Sequence, residues 1–272
     1  MTNGEQARRI RRIAIALGSE APDTKALERI ARLAAAMRAE MAGLFVEDIN
    51  LLHLAALPFA AEFCRFTQRH RPLEGAEVER QLRIQAAAAQ QALATVAERA
   101  GVSWSFRVTR GSVAALLRQA AAEVDLLALG APRRILLHES DLALTAETAR
   151  KALRTEAPGR PVVVVCDDTA AALRAVEVAL HFAKADARPL TILIIAVDQE
   201  GVDRLRHQAA QLVGEQPAQY RRIVAPTVGV LLDTVRSENA AVLVLPAGKP
   251  LLEASVFKML REGLSCPTLL VR

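Results

Sequence analysis

Two rhythms of apolar and polar residues take turns along this chain. Short apolar runs that read as buried strands alternate with longer stretches in which apolar residues recur every three or four positions, the period of an amphipathic helix. In the first part the strand-like runs are IAIAL (13–17), MAGLFV (41–46), VSWSFRVTR (102–110) and DLLALGA (125–131), with helical stretches at 25–39, 77–99, 113–124 and 144–156. In the second part they are PVVVVC (161–166), LTILIIAVD (190–198), YRRIVA (220–225), AVLVLPA (241–247) and PTLLVR (267–272), with helical stretches at 169–184, 201–214, 228–238 and 252–261. Strand, helix, strand in steady alternation predicts an α/β fold with a parallel sheet and right-handed crossovers.

The pattern occurs twice. IAIALGS (13–19) lies over VVVCDDT (163–169) at an offset of 150, and LFVED (44–48) lies over IIAVD (194–198) at the same offset. Further on, SVAALL (112–117) lies over TVGVLL (227–232) at an offset of 115, so the first copy carries 35 extra residues between these points. We read two tandem domains, 1–157 with an inserted segment at about 49–84, and 161–272, joined by a short linker. The first copy has no counterpart to PTLLVR. The outer edge of DLLALGA would then stand open, and it needs the other domain, a crossing strand or a dimer mate to cover it.

The β-α order closing on CPTLLVR resembles the universal stress protein family, whose last strand typically reads CPVLVVR. The stretch LFVEDINLLHLAALPFA is similar to the segment after the second strand in tandem-domain members. The resemblance covers nearly the whole chain. It implies two open parallel sheets of the adenine nucleotide alpha hydrolase-like kind, strand order 3-2-1-4-5, in pseudo-twofold pairing. It also implies a place for ATP at the carboxyl ends of the strands, where a sheet changes direction and helix N-termini offer backbone donors. The family's markers are an Asp ending the first strand, and a GxxG loop followed nine residues later by Gly-Ser or Gly-Thr.

The chain departs from these markers. In the first copy Leu17 stands at the Asp position, and Arg133 stands where the second loop glycine belongs after Gly130. In the second copy Asp167 matches, but the fourth strand leads into PAGKPLLEAS, which cannot form a GxxG cradle. What remains is Asp167, Thr169, Gly248, Lys249 and Ser255. Two readings stand. Asp167 and Ser255 cap helices, as such residues usually do after strands; or ATP or AMP is held there, a phosphate resting on Lys249 and a helix N-terminus near Ser255. With no cofactor required, the first makes the chain a non-catalytic regulatory protein acting through domain and dimer contacts. The second makes it a nucleotide-binding one.

Composition narrows the classes further. Hydrophobic residues make up 52% and aromatics 3%, so the core is aliphatic and a base-stacking platform is unlooked for. A net charge of +5 spread over the chain does not suggest nucleic acid as a partner. Cys64, Cys166 and Cys266 lie outside any metal-type spacing and suit a reducing cytoplasm. No apolar run approaches the ~20 residues of a spanning helix. His53, His70, His138, His181 and His207 have no partners at metal spacing, and Ser112 and Ser255 lack a nucleophile motif, so no enzyme is expected. His138, Glu139 and Asp141 read as solvated loop polars. Arg107, Arg110, Arg133 and Arg134 read either as surface charge or as a basic patch for an anionic ligand. In segment 49–75, Leu51, Leu52, Leu54, Leu57, Phe59, Phe63 and Phe66 are too apolar for a solvated loop. They pack within the chain, or they form a homodimer or partner surface.

Overall fold

The computed structural model describes residues 10–18, 23–64, 69–130, 159–224, 227–248, 253–264 and 266–272. Two compact units divide at Ala120/Ala121. The helix expected at 144–156 and the loop before it lie outside the described residues.

In the unit 10–120, β1 (Arg12–Leu17), β2 (Glu40–Asp48) and β5 (Trp104–Gly111) are all parallel in the order β5-β2-β1, with Ile13 opposite Met41 and Gly43 opposite Phe106. Helix α1 (Thr24–Met37) starts at Asp23, whose carboxylate accepts from the Ala26 amide at 3.1 Å. It ends at Arg38, held in the left-handed region at φ 53°. Its buried face is Leu27, Ile30, Ala31, Leu33 and Ala34, spaced at the helical period. After β2 come a short helix α2 (Ile49–Ala55), a hairpin of β3 (Ala61–Cys64) and β4 (Arg69–Pro72), and a long helix α3 (Gly75–Arg99). A Cβ on Gly43 would come within 2.6 Å of Leu93 and 2.7 Å of Phe106, so any larger residue there would force those side chains of α3 and β5 to shift. Helix α4 (Val113–Glu123) then leads into the second unit.

The unit that begins at Ala121 contains β6 (Leu126–Leu129), β7 (Val162–Cys166), β8 (Leu190–Ile194), β9 (Ala218–Arg222), β10 (Val242–Pro246) and β11 (Thr268–Val271). Its helices are α5 (Ala172–Ala185), α6 (Gln199–Val213), α7 (Val228–Ser237) and α8 (Ala254–Gly263). Pairing runs β9-β8-β7-β10-β11, all parallel, and then β6 beside β11 in the opposite direction. Counted from β7, the parallel part has the order 3-2-1-4-5. β7, β8 and β10 are buried at every position, which is why they read as unbroken apolar runs rather than alternating ones.

The repeat and the compact units therefore cut the chain in different places. DLLALGA, the fourth strand of the first repeat, is hydrogen-bonded to the fifth strand of the second: Thr268 faces Leu129 and Val271 faces Leu126. Its open edge is filled by a crossing strand. Strand β7 does not touch β6; its neighbours are β8 and β10. A buried arginine closes the amino side of this sheet. Arg160 donates from Nε to the carbonyl of Asn239 (2.8 Å) and from Nη2 to that of Ala240 (2.6 Å), just past the end of α7. Burial lowers its pKa, and the neighbouring Arg188 adds to that effect.

Candidate ligand site at the carboxyl edge of the second unit

β7 is wedged between β8 and β10, so successive connections leave it on opposite sides. This is the switch point at which open α/β sheets form a crevice. The register, with Val164 opposite Val244, carries Asp167 and Gly248 to the same carboxyl edge on neighbouring strands.

Asp167 is half-buried, and its Oδ1 accepts twice from one residue: from the Thr169 amide at 3.0 Å and from the Thr169 hydroxyl at 2.5 Å. This is an Asx-type turn that shapes the exit from β7. The helix that follows is not capped by it, because the cap position of α5 is Ala171, with no side-chain bond. Asp168 is exposed and pairs with Arg204 of α6 at 2.8 Å. Beneath the turn, burial pushes the Cys166 thiol up to about 11, and the charges of Asp167 and Asp168 add to the effect. Cys266 is likewise held at about 11 by burial. Both are buried free thiols.

On the β10 side the Ala247 amide bonds the Val271 carbonyl at 2.6 Å, and Gly248 turns back on Pro246 at 2.9 Å. Lys249 lies outside the described residues. Helix α8 opens at Glu253, which makes no side-chain cap, and Ser255 sits exposed in the first turn. Ser255 therefore does not fill the capping role expected of it.

The sequence reading missed two residues at this edge. Val197 is 96% exposed and Val224 71% exposed. They belong to the runs read as strands 190–198 and 220–225, but β8 stops at Ile194 and β9 at Arg222. The signal was present in Asp198, whose Oδ1 accepts from the Gly201 amide at 2.7 Å and so ends the strand by starting α6. Asp48, its partner at the offset of 150, does the same for α2, accepting from the Asn50 amide at 3.0 Å.

In the first unit the matching edge has Leu17, whose side chain is buried, followed by Gly18. Arg110 is taken by two carboxylates, Glu47 at 2.9 Å and Glu79 at 3.2 Å, and the Glu47 bond is the chief reason its pKa is raised. Arg107 lines a small cleft with Leu44, Thr109, Leu116 and Gln119. Arg133, Arg134, His138, Glu139 and Asp141 lie outside the described residues. Among the described residues no three His, Cys, Asp or Glu side chains gather closely enough to hold a metal ion. Nor is any described helix long and apolar enough to cross a membrane.

No protein-family model matches the chain, and no curated protein matches it in sequence. Solved structures do. A universal stress protein from Archaeoglobus fulgidus DSM 4304 superposes with a TM-score of 0.51 at 13% identity, covering 95% of this chain and 96% of its own. The chain has the universal stress protein fold. A protein of Pseudomonas aeruginosa UCBPP-PA14, provisionally classed as a universal stress protein, gives a TM-score of 0.50 at 16% identity, covering 98% of this chain and 94% of its own. A universal stress protein in complex with cAMP matches 43% of this chain at 23% identity, with a TM-score of 0.36.

Proposed function

We propose that this chain is a non-catalytic regulatory protein of the stress-response type, working through contacts between its domains and with a second copy of itself. The observation that carries this reading is the double use of Asp167 Oδ1 by Thr169. The marker carboxylate holds the turn at the end of β7, and its counterpart in the first repeat is the buried Leu17. The buried free thiols Cys166 and Cys266 fit a reducing compartment, and we place the protein in the cytoplasm.

A second reading, ATP or AMP bound in the second unit, is favoured by one feature. Helices α5 and α8 both begin without a side-chain cap, and α5 starts five residues after Asp167, so its second and third amides have no side-chain acceptor to compete with an anion. Thermal denaturation with ATP, ADP and AMP separates the two. On the regulatory reading, millimolar nucleotide leaves the midpoint within about 1 °C, since a ligand stabilises only in proportion to ln(1 + [L]/Kd). A rise that grows with nucleotide concentration, or adenine nucleotide released from the purified protein on denaturation, decides for the second.

A further inference from the structure

Leu54, Leu57, Phe59 and Phe63 of the inserted segment are exposed, but an apolar face does not select its partner. The edge strand β9 carries more information. Among the described residues it pairs with β8 alone, which leaves its other side open. The Ile223 amide bonds the Ile194 carbonyl. Backbone groups alternate sides along a strand, so Gln219 and Arg221 also turn theirs toward β8, while Ala218, Tyr220 and Arg222 turn theirs outward. By the same two-residue period the side chains of Tyr220 and Arg222 share one face. Helix α6 lies on that face. The Arg206 guanidinium sits over the Tyr220 ring at 5.4 Å, and Arg222 donates from Nη1 to Gln199 Oε1 at 3.1 Å. Gln199 donates in turn to Asp203 at 3.1 Å. On the other face Arg221 is paired with Glu238. The open edge thus sets outward backbone donors and acceptors beside two exposed arginines, Arg206 and Arg222, whose partners among the described residues are neutral, a ring and a side-chain amide.

We propose that β9 is a docking strand for an extended acidic segment of another protein, which adds to the sheet edge and sets acidic side chains at every second residue against Arg206 and Arg222. Charge selects this occupant. Residues 218–222, AQYRR, hold two arginines and no acid. Charged side chains on an open edge turn most strands away, but arginine repels basic strands and draws acidic ones. A second copy laid along the same edge brings two more arginines and no carboxylate on its strand. Spacing adds selectivity. Tyr220, beneath Arg206, and Arg222 are two residues apart, ~6.6 Å along the strand, which is the repeat of side chains on one face of a guest strand.

The test uses the full chain and a fluorescent eight-residue peptide of alternating threonine and glutamate, read by anisotropy at low salt. Saturable binding is expected. The same peptide with glutamine in place of glutamate should bind about tenfold more weakly, and so should the glutamate peptide to Arg206→Gln/Arg222→Gln. Both arginines are exposed, so the variant should keep its circular dichroism and unfolding midpoint. Two further peptides, N-methylated at every threonine or at every glutamate, test strand addition on the wild type. One of them should lose binding, since only one set of amides faces β9. Equal affinity for the glutamate and glutamine peptides, or for wild type and folded variant, overturns the proposal. So does full binding of both methylated peptides. A single-stranded oligonucleotide that displaces the peptide at lower concentration overturns it in favour of nucleic acid. A wild-type dimer that becomes monomeric in the variant overturns it in favour of a second copy.

Discussion

Asp167 is tied into the local backbone through one carboxylate oxygen. Its Oδ1 takes the Thr169 amide and hydroxyl together, so it anchors the turn that directs the chain from β7 toward α5. Asp167→Ala leaves a part-buried amide without its partner, and we expect a loss of about 1–2 kcal/mol in urea unfolding. Asp167→Asn, which keeps an acceptor oxygen, should lose less; equal stability of wild type and alanine variant would remove the turn role. The two buried thiols, Cys166 under this turn and Cys266 at the amino side of the sheet, make a second prediction. Cys166 and Cys266 sit at about 11 in the folded chain, against an ordinary value near 9, because burial disfavours the thiolate. Between these values the unfolded chain has released protons that the folded chain retains. Their stabilising contribution is therefore whole below pH 9 and is lost as pH rises through 11. Urea titrations from pH 8 to 10.5 should show a steeper decline in wild type than in Cys166→Ala/Cys266→Ala. Native thiols that react at once with a disulfide reagent at pH 8 would contradict the burial assigned to them.

Among the elements, β11 bears the most. It is the fifth parallel strand beside β10 and the antiparallel partner of β6, so Leu270 has Leu245 on one side and Leu127 on the other. Leu270→Pro removes a ladder donor and forces a ring into a two-sided strand, and about 3 kcal/mol or more should be lost. A drop of under 2 °C in the unfolding midpoint would be too small for that position. The long elements were legible in the sequence because their burial is one-sided or complete. The Leu27–Leu33 stripe of α1 and the unbroken apolar runs of β7 and β10 leave little choice. Ambiguity entered where polarity and structure part company. AEFC and RHRP look like no strand, since β3 and β4 pair with each other outside any core and show no alternating buried face. Val197 and Val224 look like strand residues because apolar character persists after the ladder has ended. The site was legible to the same degree. Asp167 was singled out by the family marker of an Asp ending a first strand, but its bond to Thr169 depends on a local turn that spacing does not encode.

At the scale of the molecule, sequence repeat and spatial unit are different partitions of one chain. The offset of 150 sets β1 over β7 and β2 over β8, and the offset of 115 sets α4 over α7. They are silent on which strand of one repeat hydrogen-bonds to which of the other, since β6 and β11 are both plain apolar runs that would suit either neighbour. The β6–β11 pairing couples residues far apart in sequence: Leu129 waits for Thr268, 139 residues later. Translation at about 5–20 residues per second puts roughly 7–28 s between the two leaving the peptidyl transferase centre. Throughout that interval a nascent chain holds β6 with one unpaired side, a template for other strands. Ribosome-bound intermediates of this protein should accordingly depend on chaperones until the residues of β11 have been made and freed from the exit tunnel.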